Sequence, residues 1–461
     1  MRLHTLTNRT GAGTARLFPA ALLAMLLLPG IAAAAIEGIP GTNFDLTAHA
    51  GTIASAPGES VYMWGYANGA GMMQLPGPTL IVNQDDMVTV TLHNALPIAA
   101  GNASIVFPGQ LVSTSGGVPG SLTQEAPNGG SVTYTFTASR PGTFQYHSGS
   151  QPDLQVEMGL YGALIVRPNA ASITAAACPA GMSAAYGHPE TCYDREYLFL
   201  LSEIDLDIHE AAALQAGGPG PIVLPEGAYT SEFWLMNGRT GPDTMAESST
   251  PGSGILPTQP YGSLVRMHPG EKTLIRLVGA GRESHPFHHH GNHARVLAND
   301  AHLLLSTTDP SKLAGPLLFT LPSTPGGTTD AIWEWTGKDL GWDIYAHDDS
   351  TPCHDSNNDG YADPGDLTDG AEDWEWCPDH GAPIPVTLPD LSSLTFGGYW
   401  SGSPYMGDLG SLPPGEGGLN PDAGFTFIWH SHTERELVNN DLFPGGMMTF
   451  MIVEAPWVTI P

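Results

Sequence analysis

The run Met87-Val88-Thr89-Val90-Thr91-Leu92 alternates apolar and polar residues along its whole length, and Asn94-Ala95-Leu96-Pro97 closes it. Strand side chains point to opposite faces with period two, so this run offers one face to a core and one to water. The Asn and Pro that follow supply the turn chemistry that ends it. Comparable strand signals recur at 132–137, 142–147 and 159–166, and again at 197–203, 233–239 (where a strand meets a turn), 272–278, 331–336 and 447–454. Few stretches carry a helical period, and the 57 Gly and 41 Pro suit short strands joined by tight turns. The expected fold class is therefore all-β, built as Greek-key β-sandwiches in tandem.

Residues 1–34 read as a secretory signal peptide. Arg2, Arg9 and Arg16 precede an apolar stretch at 17–28, and Ala32-Ala33-Ala34 forms a small-residue cleavage signature. Pro19 breaks the apolar stretch, which falls short of the roughly 20 residues that span a bilayer. No later stretch is long and apolar enough to span one. Export to the periplasm, the extracellular space or the cell surface is expected. The remaining chain divides into a first sandwich at 35–168, a linker at 169–196 and a second sandwich at 197–461, the last carrying an acidic insertion at 351–380. The formal charge is −31, and removing the three arginines of the signal peptide takes it to −34. Such a surface repels nucleic acid and anionic lipid and favours solubility and cations.

The four cysteines fall into two local pairs. Cys178 and Cys192 bracket a short loop, and Cys353 and Cys377 an acidic one. In an exported protein these pairs are most simply the disulfides Cys178–Cys192 and Cys353–Cys377.

Two histidine stretches carry the chemistry. His285-Pro286-Phe287-His288-His289-His290-Gly291 follows one strand signal, and His430-Ser431-His432 follows another that includes Phe427-Ile428-Trp429. Period-two alternation turns His288 and His290 one way and His289 the other, and likewise groups His430 with His432 and turns Ser431 away. Two such pairs face to face place four imidazoles around one small volume, which suits Cu, Zn, Fe or Ni. The acidic insertion has its own pattern. Asp355, Asn357, Asp359, Asp363 and Asp366 fall at positions 1, 3, 5, 9 and 12 of a loop with Gly360 at position 6, and Tyr361 supplies a carbonyl at position 7. A structural Ca²⁺ site and an empty, disulfide-closed acidic loop are both open readings of it.

Four segments together resemble the multicopper oxidases, a family built from cupredoxin β-sandwiches. They are Pro76-Gly77-Pro78-Thr79 with its following strand, the run from Gly142 through His147 to Ala163, the stretch from His285 to Gly291, and the stretch from Trp429 to Met448. The short path from Asn237-Gly238-Arg239 to His285 resembles the two-domain members, which implies a homotrimer with copper sites between domains. The resemblance implies that His147, His288, His290, His430 and His432 bind copper as members of a trinuclear-type centre. The family's first histidine pair is replaced by Val106-Phe107-Pro108-Gly109, and only His147 remains of the second. His285 matches a ligand of the family's blue (type 1) copper. Ser431 stands where that site needs a cysteine, Glu436 where it needs a second histidine, and Met447 or Met448 where it has its axial methionine. A serine hydroxyl is a poor substitute for a thiolate, so no blue copper is expected. His285, Glu436 and Met447 are then extra ligands or polar support for a reduced, histidine-held copper centre. The functions left open are a divergent copper oxidoreductase acting on a small molecule, a metal ion or oxygen, a non-catalytic copper-handling protein, and a structural surface protein.

Overall fold

In the computed structural model the strand Met87–Asn94 alternates buried and solvent-facing residues, as does Ser131–Thr137, with which it pairs antiparallel. The structure describes residues 36–55, 58–336, 338, 351–366, 368, 370, 371, 373–377, 425–454 and 458–460. The signal-peptide stretch 1–34 and residues 378–380 of the acidic insertion lie outside them.

In the first half of the chain, one five-stranded sheet runs in the order 59–68, 43–55, 87–94, 131–137, 113–116. A four-stranded sheet runs in the order 39–40, 80–83, 161–167, 142–147. A shared apolar core, including Trp64, Leu80, Val90, Tyr134, Phe136, Tyr146 and Leu164, fills the space between them. The second half repeats the plan. Its larger sheet contains Phe233–Met236, Arg195–Ile204, Lys272–Gly279, Thr328–Glu334 and Ala294–Asn299 in that order. The facing sheet runs Val265–Met267, Met448–Val453, Phe425–Ser431, His285–His289, Thr320–Ser323. Phe199, Phe287, Trp333, Trp335, Phe427 and Trp429 dominate the core between the two. The protein is thus all-β with cupredoxin-like sandwich topology.

Alternation fails where strands are covered on both sides. Tyr161–Arg167 is buried at every position but the last, and Arg195–Ile204 at eight of ten. Between the halves lies a further apolar cluster that includes Met63, Leu75, Tyr161, Leu200, Ile204 and Phe233. Beside it the Arg276 guanidinium, fully buried, reaches Glu196 at 3.0 Å and Thr143 at 3.1 Å, and Thr143 donates to Asp330 at 2.5 Å. A buried cation needs such partners, because an isolated charge in an apolar interior is too costly to keep.

The segment 169–196 is ordered. Asn169 caps the helix Ala170–Ala176 by accepting from the Ser172 amide at 2.9 Å, and Cys178 is bonded to Cys192. A longer helix, Leu206–Gln215, starts at Asp205, whose carboxylate accepts from Ile208 N. Period-based reading missed it because its apolar residues form no stripe.

Candidate metal centre

The two histidine stretches lie side by side. The strand Phe425–Ser431 pairs antiparallel with His285–His289, setting His430 opposite His288, Ser431 opposite Phe287 and Trp429 opposite His289. Cross-strand register and strand alternation therefore put His288, His290 and His430 on one face. The other face sends Phe287, His289 and Trp429 into the aromatic core. The ring centroids of His288 lie 4.9 Å from His290 and 5.4 Å from His430. One ring nitrogen from each of the three falls within 4.8 Å of the others, and His430 Nε2 is 3.3 Å from His290 Nε2.

A hydrogen bond fixes which nitrogen His430 offers. His430 Nδ1 donates to the Ser431 carbonyl at 2.7 Å, and His288 Nδ1 pairs with Thr320 Oγ1 at 2.8 Å. A neutral ring that donates from Nδ1 keeps its lone pair on Nε2, the form that binds a metal. Burial, reinforced by the neighbouring rings, pushes His288 down to about 3. Burial likewise takes His430 down to about 4, against the opposing effect of its carbonyl hydrogen bond. At neutral pH both rings are neutral, so protons do not compete with a metal there. Three converging imidazoles, at least two of them neutral, fit copper, and they fit it without a thiolate.

The other predicted ligands are placed differently. The His432 ring lies 4.8 Å from that of His288, but its side chain is half-exposed and its Nδ1 meets Glu434 at 3.3 Å. It is not one of the three converging groups. His147 ends the strand Gly142–His147, and its backbone bonds to Val106 in both directions, at 2.8 and 3.2 Å. It makes no ring contact with the other four histidines among the described residues. Its Nδ1 donates to the Ser148 carbonyl at 2.9 Å, the same local bond that His430 makes, and burial lowers its affinity for a proton.

His285 is on the core side of its strand and is engaged at both nitrogens. Nδ1 lies 2.9 Å from Glu436 and Nε2 3.0 Å from Glu203, with all three side chains buried. Burial alone would lower the proton affinity of this ring, but the two carboxylates overcome it and push the ring up to about 9. Ser431 Oγ accepts from Thr433 N at 3.2 Å, and Met447 is buried in the aromatic core. All four cysteines are in disulfides. With no open lone pair on His285 and no thiolate, these residues do not fit a blue copper ion. Sequence reading did not single out Glu203. Its signal was a carboxylate inside the buried run Leu200-Leu201-Ser202-Glu203-Ile204, where a charge requires a partner.

In the acidic insertion the oxygens turn onto the loop itself. Asp355 accepts from Asp359 N and Gly360 N at 3.0 and 2.8 Å, Asn357 from Asp359 N at 2.8 Å, Asp359 from Tyr361 N at 3.1 Å, and Asp363 from Ser356 N at 3.1 Å. Lys338 pairs with Asp359 at 2.9 Å and His354 with Asp366 at 2.8 Å.

Known proteins resemble this chain over parts of its sequence and in its fold. Residues 49–171 match the model of a multicopper oxidase family. A multicopper oxidase of Talaromyces pinophilus is 39% identical over 98 residues, which are 21% of this chain and 15% of that protein. Laccase-7 of Oryza sativa subsp. japonica is 30% identical over 271 residues, 56% of this chain and 39% of that one. The matched region thus spans well under half the length of these relatives. Among solved structures, the blue copper oxidase of Nitrosomonas europaea aligns with a TM-score of 0.50 at 19% identity, covering 89% of this chain and 85% of that one. The multicopper oxidase mgLAC aligns with a TM-score of 0.50 at 20% identity, covering 91% and 87%. The structural likeness is one of fold.

Proposed function

We propose that this chain is a divergent relative of the multicopper oxidases, an exported copper-binding oxidoreductase working without blue copper. The observation that carries the reading is the convergence of His288, His290 and His430, with at least two of the three rings held neutral. Copper bound there would supply redox or Lewis-acid chemistry toward oxygen, a small molecule or a metal ion. The chain's own contribution is to bring the rings of His288 and His430 to one point and to keep them unprotonated. His432 stands close enough in ring position to join after its bond to Glu434 breaks. His147 matches His430 in the bond that orients it, and we assign it to a copper site completed by another copy of this chain in a homotrimer.

Export rests on the signal-peptide pattern of residues 1–34. Among the described residues no helix is long and apolar enough to cross a membrane. A non-catalytic copper-handling role is the second reading, favoured by a converging group that holds three histidines and not His147, and by the loss of the usual electron-entry thiolate. Metal analysis of the mature protein tests copper binding. Oxygen uptake with phenols, Cu(I), Fe(II) and Mn(II) then separates the readings, and copper-loaded protein inert toward all four supports the second. A structural Ca²⁺ in the loop from Asp355 to Asp366 is a separate proposal, checked by calcium titration of the mature chain.

A further inference from the structure

We infer that Glu203, His285 and Glu436 form a metal-free ionic cross-link that positions the two histidine-bearing strands. In it, an imidazolium joins the elements that a metal ion would otherwise join. This inference rests on the proposed histidine centre for its functional meaning.

The geometry is closed on both edges of the ring. Glu203 takes Nε2 at 3.0 Å and Glu436 takes Nδ1 at 2.9 Å, so two acceptor carboxylates require a ring that donates from both nitrogens. No lone pair is left for a metal. The three residues come from three elements: the strand Arg195–Ile204 of the larger sheet, the start of the strand His285–His289, and the turn Glu434–Leu437 that follows the second histidine strand. They tie the two sheets of the sandwich together at the edge of its core.

Glu203 is held in turn. Its other carboxylate oxygen accepts from the amides of Arg282 and Glu283, the latter at 3.1 Å. Gly281 makes this approach feasible, since a Cβ there would lie 1.9 Å from Glu203 Oε2. The link to the metal centre runs through backbone register. From His430 opposite His288 the chain continues antiparallel, with Ser431 opposite Phe287 and the His432 amide donating to the Pro286 carbonyl at 2.8 Å. The Glu436–His285 bond then fastens the end of that pairing. Loosening it frees the segment that carries His430 and His432 relative to the one that carries His288 and His290.

The test uses the full mature chain and Glu203→Gln, which keeps the side-chain volume and removes the charge. Two readouts are taken: Cu(II) affinity with the EPR spectrum of the bound ion, and the ring ¹⁵N resonances of His285, His288 and His430 in metal-free protein. The wild type should show His285 protonated at both nitrogens at neutral pH. The variant should bind Cu(II) about 10-fold to 100-fold more weakly, the range typical of lost support around a ligand set, with an altered EPR spectrum and shifted His288 and His430 resonances. If Glu203→Gln does not fold, Glu436→Gln decides by the same readouts. Unchanged affinity, spectrum and resonances overturn the inference, as does a wild-type His285 carrying a bare nitrogen. If the wild type takes up no copper but the His288 and His430 resonances still move in the variant, the copper reading fails and the positioning role stands.

Discussion

The strand His285–His289 has two faces, and they treat the same side chain in opposite ways. On one, His288 meets His290 and His430, and burial without an anion drives its proton affinity down to about 3. On the other, His285 is as buried but meets Glu203 and Glu436, and its proton affinity rises to about 9. The difference teaches that burial alone does not decide what a histidine is for. Rings packed against other rings stay neutral and offer lone pairs, whereas a ring packed between carboxylates becomes a cation and offers none.

The contrast can be broken from either side. The largest effect is expected on the neutral face: His288→Ala combined with His430→Ala should abolish copper loading, measured by metal analysis, while the protein stays folded by circular dichroism. On the charged face, Glu436→Leu leaves the buried His285 with Glu203 as its remaining carboxylate partner. Denaturant unfolding should then show a loss of about 3–5 kcal/mol, the cost of breaking a buried pair from one side. The same profile recorded against pH sharpens the point. The His285 contribution is fully present below its unfolded value near ~6.5 and is lost as pH rises through about 9. Stability should therefore decline between those limits in the wild type and be flatter there in His285→Gln. The smallest change is expected for copper affinity between pH 7 and pH 5. His288 and His430 gain protons only near pH 3 to 4, so a titration should move little over that span.

Much of this was legible in the residues. Alternation in Met87–Asn94 and the Gly- and Pro-rich turns implied sandwiches, and alternation in His288-His289-His290 separated the two faces before any register was known. The local pairing of cysteines matched the disulfides. What could not be read was long-range. Glu203 lies 82 residues before His285, in a strand that reads as plain core, and nothing local says which charge it meets. His430-Ser431-His432 suggested two equivalent ligands, but the chain turns after Ser431 toward Glu434, which exposes His432 and engages its ring. That His147 is not among the three converging rings likewise depends on how the first sandwich is placed, which no motif encodes.

The central claim is that one face of this strand holds copper and the other excludes it. Optical and EPR spectra of the mature protein after copper loading test it most directly. The account predicts bound Cu(II) with nitrogen hyperfine coupling from imidazoles, no intense blue absorption, and loss of the signal in the His288→Ala and His430→Ala double variant. Failure to take up copper, or an intense thiolate-to-copper band, would contradict it.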